Sequence, residues 1–279
     1  MSQYFFPLDN EESVRHMARK MRGMALCMVH SANASHIGSC FSVADILAVL
    51  YGCTLRIRPD DPGWAERDRL VLSKGHSAAI LYSALAARGF FPEESLKSYC
   101  RQGSLFLGHV SQSVPGVEVS TGSLGHGLSI ACGMALTGKR TGRSFRVFNV
   151  LSDGELDAGS TWEAILFASN HRLDNLMAVV DYNKLQGFGR VEEVLSLEPL
   201  VDKFKAFGWA VNEVDGHDVA CIRQVLSGMP FETGKPSIII AHTIKGKGIG
   251  YMEDQLAWHY KSPNDDQLAQ GLQELGCFE

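Results

Sequence analysis

Long hydrophobic runs are missing from this chain of 279 residues. No stretch approaches the roughly 20 consecutive apolar residues that span a bilayer. Met1 to Asn10 holds no basic segment followed by an apolar run, so no secretory signal is read there. An excess of one charge is missing too. Lysine and arginine number 26 against 31 aspartates and glutamates, a net charge of −5, which draws neither nucleic acid nor an anionic membrane. Cysteine pairs are also absent. The seven cysteines, at 27, 40, 53, 100, 132, 221 and 277, are odd in number and show no C-x-x-C spacing. Most lie in apolar stretches, where a free thiol behaves as a small hydrophobe. Repeats and low-complexity segments are lacking as well. These absences point to a soluble protein of the reducing cytoplasm.

What is present is an ordinary globular composition, 45% hydrophobic and 20% charged, in a chain long enough to bury a sizeable core. Ten histidines stand out, several beside glycines. Asp9 or Asn10 is placed to cap a helix reaching about residue 33, with Val14, Met17, Met21, Met24 and Met28 at helical spacing. Residues 42–53 read as a second helix, 69–72 as a short strand and 75–88 as an alanine-rich helix. A small-residue helix over 125–136 suits close packing. Beyond it, strands at 145–151, 176–181, 209–214 and 237–241 alternate with helices at 160–169, 200–207 and 219–226. The alternation predicts an α/β fold, a parallel sheet flanked by helices on both faces. Residues 1–279 read as one domain, with a C-terminal tail from about Thr243.

Such sheets hold ligands at the carboxyl ends of their strands, and two segments fall there. Leu151-Ser152-Asp153-Gly154-Glu155 closes one expected strand. Asp181-Tyr182-Asn183 closes the next, with Asn183 thirty residues after Asp153. Neighbouring strands would bring Asp153 and Asn183 to one rim. A carboxylate, an amide oxygen and a main-chain carbonyl are the hard donors that magnesium or calcium accepts. Gly154 lets the backbone approach a phosphate, and the following helix offers it a positive end. Either segment alone reads equally well as a turn; the pairing is what points to a metal and a phosphate.

The pairing resembles the Gly-Asp-Gly…Asn signature of thiamine-diphosphate enzymes, and the surrounding sequence resembles transketolase. The resemblance runs through Ala34-Ser35-His36-Ile37-Gly38, Leu72-Ser73-Lys74-Gly75-His76-Ser77, Leu107-Gly108-His109 and Ser120-Thr121-Gly122-Ser123-Leu124-Gly125-His126-Gly127. It continues in Asp215-Gly216-His217-Asp218, Lys245-Gly246-Lys247-Gly248 and Trp258-His259. It implies the thiamin diphosphate-binding fold and two cofactors, thiamine diphosphate and magnesium (Mg2+) or calcium (Ca2+). Asp153, Asn183 and the Leu185 carbonyl are then metal ligands. His76, Gly122, Ser123, Leu124, Asp153, Gly154, Glu155 and Asn183 are implied to bind the cofactor. His36, His76, His109 and His259 are implied to be catalytic, since imidazole exchanges protons near neutral pH. Lys245 and Lys247 are implied to approach the active site, and Glu163 an interface between cofactor sites. His126 reads either as a cofactor neighbour or as a turn residue, and His217 as fixing a loop before a helix. The implied reaction transfers a two-carbon ketol unit from a ketose to an aldose.

The match departs from the family in three places. Ser152 replaces the first glycine of the signature, which ordinary backbone angles would tolerate. Ala158 stands where many transketolases carry a glutamate linking the two active sites. Full transketolases also add a pyrimidine-binding domain, whose glutamate activates the aminopyrimidine, and a third domain. The resemblance therefore implies a second subunit carrying both, in an α2β2 assembly, docked on the 127–135 helix or the N-terminal helix. Other readings are a deoxyxylulose-phosphate-synthase-like chain, a 2-oxo acid dehydrogenase E1 α-like subunit, and a cofactor-binding protein without catalysis. Lys74-Gly75-His76 and the Gly-Ser-Leu-Gly-His-Gly run speak against the dehydrogenase, and the four histidines against loss of catalysis. The donor and acceptor sugars, and whether they are phosphorylated, are not written in this sequence.

Overall fold

The computed structural model describes residues 7–8 and 10–277. Helix α1 (Glu11–Ala32) starts where the Asn10 side chain accepts the Ser13 amide at 2.8 Å, with Glu11 and Glu12 at the positive end of the helix. It stops at Asn33, whose φ of 48° is left-handed. Asp9, the other expected cap, lies outside the described residues. Val14, Met21, Ala25 and Val29 share one face of α1 and are buried. Helices α2 (Ile37–Ser42) and α3 (Ala44–Val49) and a wide π-type turn at Leu50–Thr54 follow. The helix expected over 42–53 therefore starts earlier and breaks at Val43. Ile37, Cys40, Phe41, Ile46 and Leu47 are all buried, so tertiary packing rather than propensity sets these ends.

Five strands, β1 (Arg69–Leu72), β2 (Val147–Ser152), β3 (Leu176–Tyr182), β4 (Ala210–Asp215) and β5 (Ser237–His242), pair in parallel in the order β1-β2-β3-β5-β4. Helices α4 (Ala78–Ala87), α5 (Gly127–Arg140), α6 (Gly159–Asn170), α7 (Val191–Val194), α8 (Leu200–Ala206) and α9 (Val219–Ser227) fall between them. Alternate strand residues serve two cores. Phe148, Val150, Met177, Val179 and Ile239 pack with α1–α4 and α9. Val147, Leu151, Leu176, Ala178, Val180 and Ile240 pack with α5, α6 and α8. Burial on both faces explains the near-continuous apolar runs, and each Val, Leu, Ile, Phe or Met side chain among them contributes roughly 1.5–3 kcal/mol by leaving water.

The segment after Thr243 is more ordered than a tail. It forms a 3-10 turn at Leu256–His259 and helix α10 (Asp265–Glu274), opened by a reciprocal cap between Asn264 and Gln267. Leu268, Leu272 and Leu275 pack onto the core beside α1. Helix α1 thus buries its apolar face against α3, α4 and α10, while Arg19, Lys20 and Cys27 on its outer face stay exposed. Helix α5 does leave Ser129, Gly133 and Thr137 exposed. None of the seven cysteines, all among the described residues, forms a disulfide, and no helix among the described residues is long and apolar enough to cross a membrane.

Candidate cofactor and active site

Pairing of Ser152 with Asp181 sets the ends of β2 and β3 level. Asp153 and Asn183 consequently line one cleft of about 410 Å³ at the carboxyl edge of the sheet. Asp153 accepts the Gly154 and Lys184 amides, each at 2.7 Å. Lys184 bends the chain with a φ of 64°, leaving Asn183 and Leu185 on the cleft while its own side chain is exposed. The Asn183 side-chain oxygen accepts the Leu185 amide at 3.1 Å. Asp153 is buried, and desolvation, with Asp181 nearby, pushes its carboxyl up to about 6. Ser152 sits in β2 without a left-handed φ, so the replaced glycine of the signature costs nothing there.

Four separated segments bring the four histidines together. His36 ends the α1–α2 turn with a φ of 74°, a strained angle for a non-glycine residue. Its amide donates to the His259 carbonyl at 2.9 Å. His76 follows β1 in the 3-10 turn Gly75–Ser77. The His109 segment is pinned by the Tyr82 hydroxyl on its carbonyl at 2.9 Å and by the Val110 amide on the Gly75 carbonyl at 3.1 Å. Gly75 is obligatory, because a Cβ there would sit 2.4 Å from the Thr121 carbonyl. From the His36 ring, those of His76, His109 and His259 lie 5.2, 5.7 and 5.1 Å away, centre to centre. Desolvation first, then neighbouring histidines and lysines, depress His36 to about 4 and His259 to about 3, and hold His76 well below its ordinary value.

Beneath the cleft Asp181 is fully buried and pairs with Lys74, also fully buried. It also accepts the hydroxyls of Ser42, at 2.6 Å, and Thr243. Burial raises the Asp181 carboxyl, but Lys74 and these donors hold it below the usual range. Lys245 enters from the C-terminal segment and is likewise buried. Its ammonium donates to the Leu185 carbonyl at 2.7 Å and lies 2.8 Å from Nδ1 of His259, with no salt bridge among the described residues. Burial pulls its pKa down to about 8. Lys247 points elsewhere and pairs with Glu253 at 3.3 Å.

Gly122 and Leu124 line the same cleft. Ser123 and His126 do not; they line an adjoining one of about 300 Å³ that meets the first at Gly122. Glu155 turns away. Its carboxylate is buried behind the 152–154 segment, where it accepts the Ser73 hydroxyl and, at 2.9 Å, the Gly125 amide. Glu155 is not among the residues that line the cleft. Glu163 is exposed on α6. Lys74 and Asp181 had no role assigned from sequence, although a charge within a wholly apolar strand demands a partner. Ser39, Asp157, Gln186 and Tyr260 also line the cleft without local signal. A larger groove of about 760 Å³ between α1, residues 93–98 and α10 holds none of the motif residues.

The cleft fits a divalent metal and a diphosphate. Among the described residues no three His, Cys, Asp or Glu side chains converge on a metal position. The donors here are instead one carboxylate, one amide oxygen and one carbonyl, the set for a hard cation. Among the same residues, Asp153 is a buried anion lacking a salt bridge, and Lys245 is a buried cation lacking an anion. Gly154 has no left-handed φ, and a Cβ there would meet Gln186 at an ordinary 3.5 Å. The fold does not require glycine at that point, whereas close approach of a phosphate does. An α/β protein with a polar cleft at the carboxyl ends of its strands is thereby defined.

The chain belongs to the transketolase family. Residues 13–278 match the family described as "Transketolase, thiamine diphosphate binding domain". The "6-deoxy-6-sulfo-D-fructose transketolase subunit SqwG" of Clostridium sp. (strain MSTE9) is 40% identical over 96% of this chain and 98% of its own length. An apulose-4-phosphate transketolase subunit of Phocaeicola vulgatus is 39% identical over 95% and 94%. Human transketolase is 38% identical over 99% of this chain but only 44% of its own. Among solved structures, transketolase from Campylobacter jejuni superposes with a TM-score of 0.90 at 32% identity, over 96% of this chain and 43% of that one. The chain thus spans nearly all of the named subunits and less than half of the single-chain enzymes.

Proposed function

We propose that this chain is the cofactor-holding subunit of a two-polypeptide transketolase, which moves a two-carbon ketol unit from a ketose to an aldose, as sugars or sugar phosphates. The observation that carries it is the meeting of Asp153, Asn183 and the Leu185 carbonyl with four histidines in one cleft. Asp153, Asn183 and Leu185 would hold magnesium, and His76, Gly122, Leu124 and Gly154 the cofactor. Ser123 would join them once a partner closes the adjoining cleft. Bound thiamine diphosphate supplies the carbanion centre on which ketol transfer depends. His36, His109 and His259 would orient the sugar and share its hydroxyl protons, and the His36 and His259 rings, kept neutral by burial, are suited to accept them. The Lys245 ammonium would neutralise diphosphate charge. The whole chain, with the segment from Thr243, serves as one cofactor-binding unit acting in the cytoplasm.

The partner would supply the pyrimidine-binding and C-terminal domains in an α2β2 assembly. The length shared with relatives named as subunits supports this, as does the apolar rim of the cleft. Phe188 is 85% exposed, Tyr260 57% and Leu124 36%, a surface suited to cover by another protein. Calorimetry of thiamine diphosphate with the chain and its partner tests the metal assignment. Binding should require magnesium and vanish in Asp153→Ala. Equal affinity in the presence of a chelator would overturn it.

A further inference from the structure

His217 lies outside the cleft, in the loop after β4, yet its hydrogen bonds lead there. Its Nδ1 is 2.8 Å from the Asp45 carboxylate on α3. Asp45 takes two bonds from the Arg22 guanidinium of α1, at 3.1 and 2.6 Å, and Arg22 also donates to the Phe41 carbonyl at 3.0 Å. All three side chains are shielded from water. Burial raises the Asp45 carboxyl, but Arg22 and His217 hold it far below the ordinary range. The other ring nitrogen of His217, Nε2, receives the Ile244 amide at 2.9 Å. A main-chain amide only donates, so Nε2 accepts and the ring proton resides on Nδ1, facing Asp45.

Ile244 stands between two residues of the site. Thr243, before it, donates its hydroxyl to Asp181, and Lys245, after it, reaches the Leu185 carbonyl and His259. Consecutive Cα atoms are about 3.8 Å apart, so a shift at Ile244 passes to both neighbours. We propose that His217 is a positioning residue: anchored by Arg22 and Asp45, it clamps the Ile244 amide and so sets Lys245, and through it His259, in the cleft. The inference rests on reading that cleft as the cofactor site. The link is made through main chain rather than by contact, which is why neither composition nor spacing disclosed it.

Two substitutions separate the two ends of the clamp. His217→Asn keeps an amide near the Nδ1 position for Asp45 and leaves nothing to accept Ile244. His217→Gln places an acceptor near the Nε2 position and gives up the Asp45 bond. Hydrogen–deuterium exchange at the Ile244 amide is read in the chain alone, and thiamine diphosphate affinity with partner and magnesium. His217→Asn should speed exchange and weaken affinity about tenfold each, and His217→Gln should restore most of both. Lowered melting temperatures with unaltered exchange and affinity in both variants would overturn the clamp. Imidazole nitrogen shifts of the unmodified chain decide it however the variants fold, since a proton on Nε2 of His217 is incompatible with it. Failure of the unmodified chain and partner to bind cofactor would instead remove the cofactor reading and leave the exchange result standing.

Discussion

The Lys245 ammonium lies 2.8 Å from Nδ1 of His259. An ammonium only donates, so Nδ1 accepts, and the His259 proton sits on Nε2 beside Gly187. The same ammonium donates to the Leu185 carbonyl at 2.7 Å. One buried cation therefore touches both a proposed metal ligand and a proposed catalytic histidine, in a place suited to meet an incoming diphosphate.

Lys245→Gln should lower thiamine diphosphate affinity by about ten- to a hundredfold, the scale of a lost charge-assisted hydrogen bond. Its melting temperature should not fall, because a buried charge without an anionic partner is removed. Calorimetry beside a thermal scan checks both. An unchanged dissociation constant would return Lys245 to a purely structural role.

Asp153 gives a pH dependence with a definite sign. Its carboxyl is raised from 3.8 to about 6, so the folded chain holds this proton more tightly than the unfolded chain. The resulting stability is present below about pH 4 and is lost as pH rises through about 6. In metal-free protein, the stability difference between Asp153→Asn and the parent should move in favour of the variant between about pH 4 and about pH 7. Using the difference cancels every titrating group not coupled to Asp153 and any fixed hydrogen-bond cost. Magnesium with cofactor should reverse the trend, and a gap that stays flat with pH would refute the assignment.

The histidines behave oppositely. His36 falls from 6.5 to about 4 and His259 from 6.5 to about 3, so each favours the neutral folded state. Their contribution to stability is present above about 6.5 and is lost as pH falls through those depressed values. Neither ring should protonate in an NMR titration from pH 7 to about 5, and a ring titrating near 6.5 would contradict the burial argument. Alanine at His36, His76, His109 or His259 should leave melting within a few degrees yet cost on the order of 10²-fold or more in turnover.

Lys74→Met should be costly in another way. It strands Asp181 as an unpaired buried carboxylate, a loss of about 3–5 kcal/mol in urea unfolding. Adding Asp181→Leu should recover part of it, because the pair is then replaced rather than broken. A neutral Lys74→Met would show that Asp181 has other compensation.

The legible parts of the site were those set by local pattern. Asp153 and Asn183 follow two apolar strands joined by one helix, and consecutive strands of that kind pair directly, so adjacency followed from spacing. The histidines were legible only through resemblance, since His36, His76, His109 and His259 come from four segments that no periodicity connects. Glu155 adjoins Asp153 in sequence, but its side chain does not follow it to the cleft. The turn Gly154–Asp157 is 3-10, which rotates successive side chains by about 120° and sends this one inward. The insertion of β5 between β3 and β4 leaves no mark in the strands themselves. Helix α10 did leave one, Asn264 with Gln267 three residues on, masked by the glycine-rich segment before it.

The most direct measurement of the central claim is ketose cleavage by this chain purified alone, with thiamine diphosphate and magnesium saturating, against the same chain with its partner. The chain alone should give no turnover above background, and adding the partner should restore it. In the resembling family the glutamate that activates the aminopyrimidine belongs to the pyrimidine-binding domain. Robust turnover by the lone chain would mean that this group is supplied from within or not needed, and the two-polypeptide reading would fail.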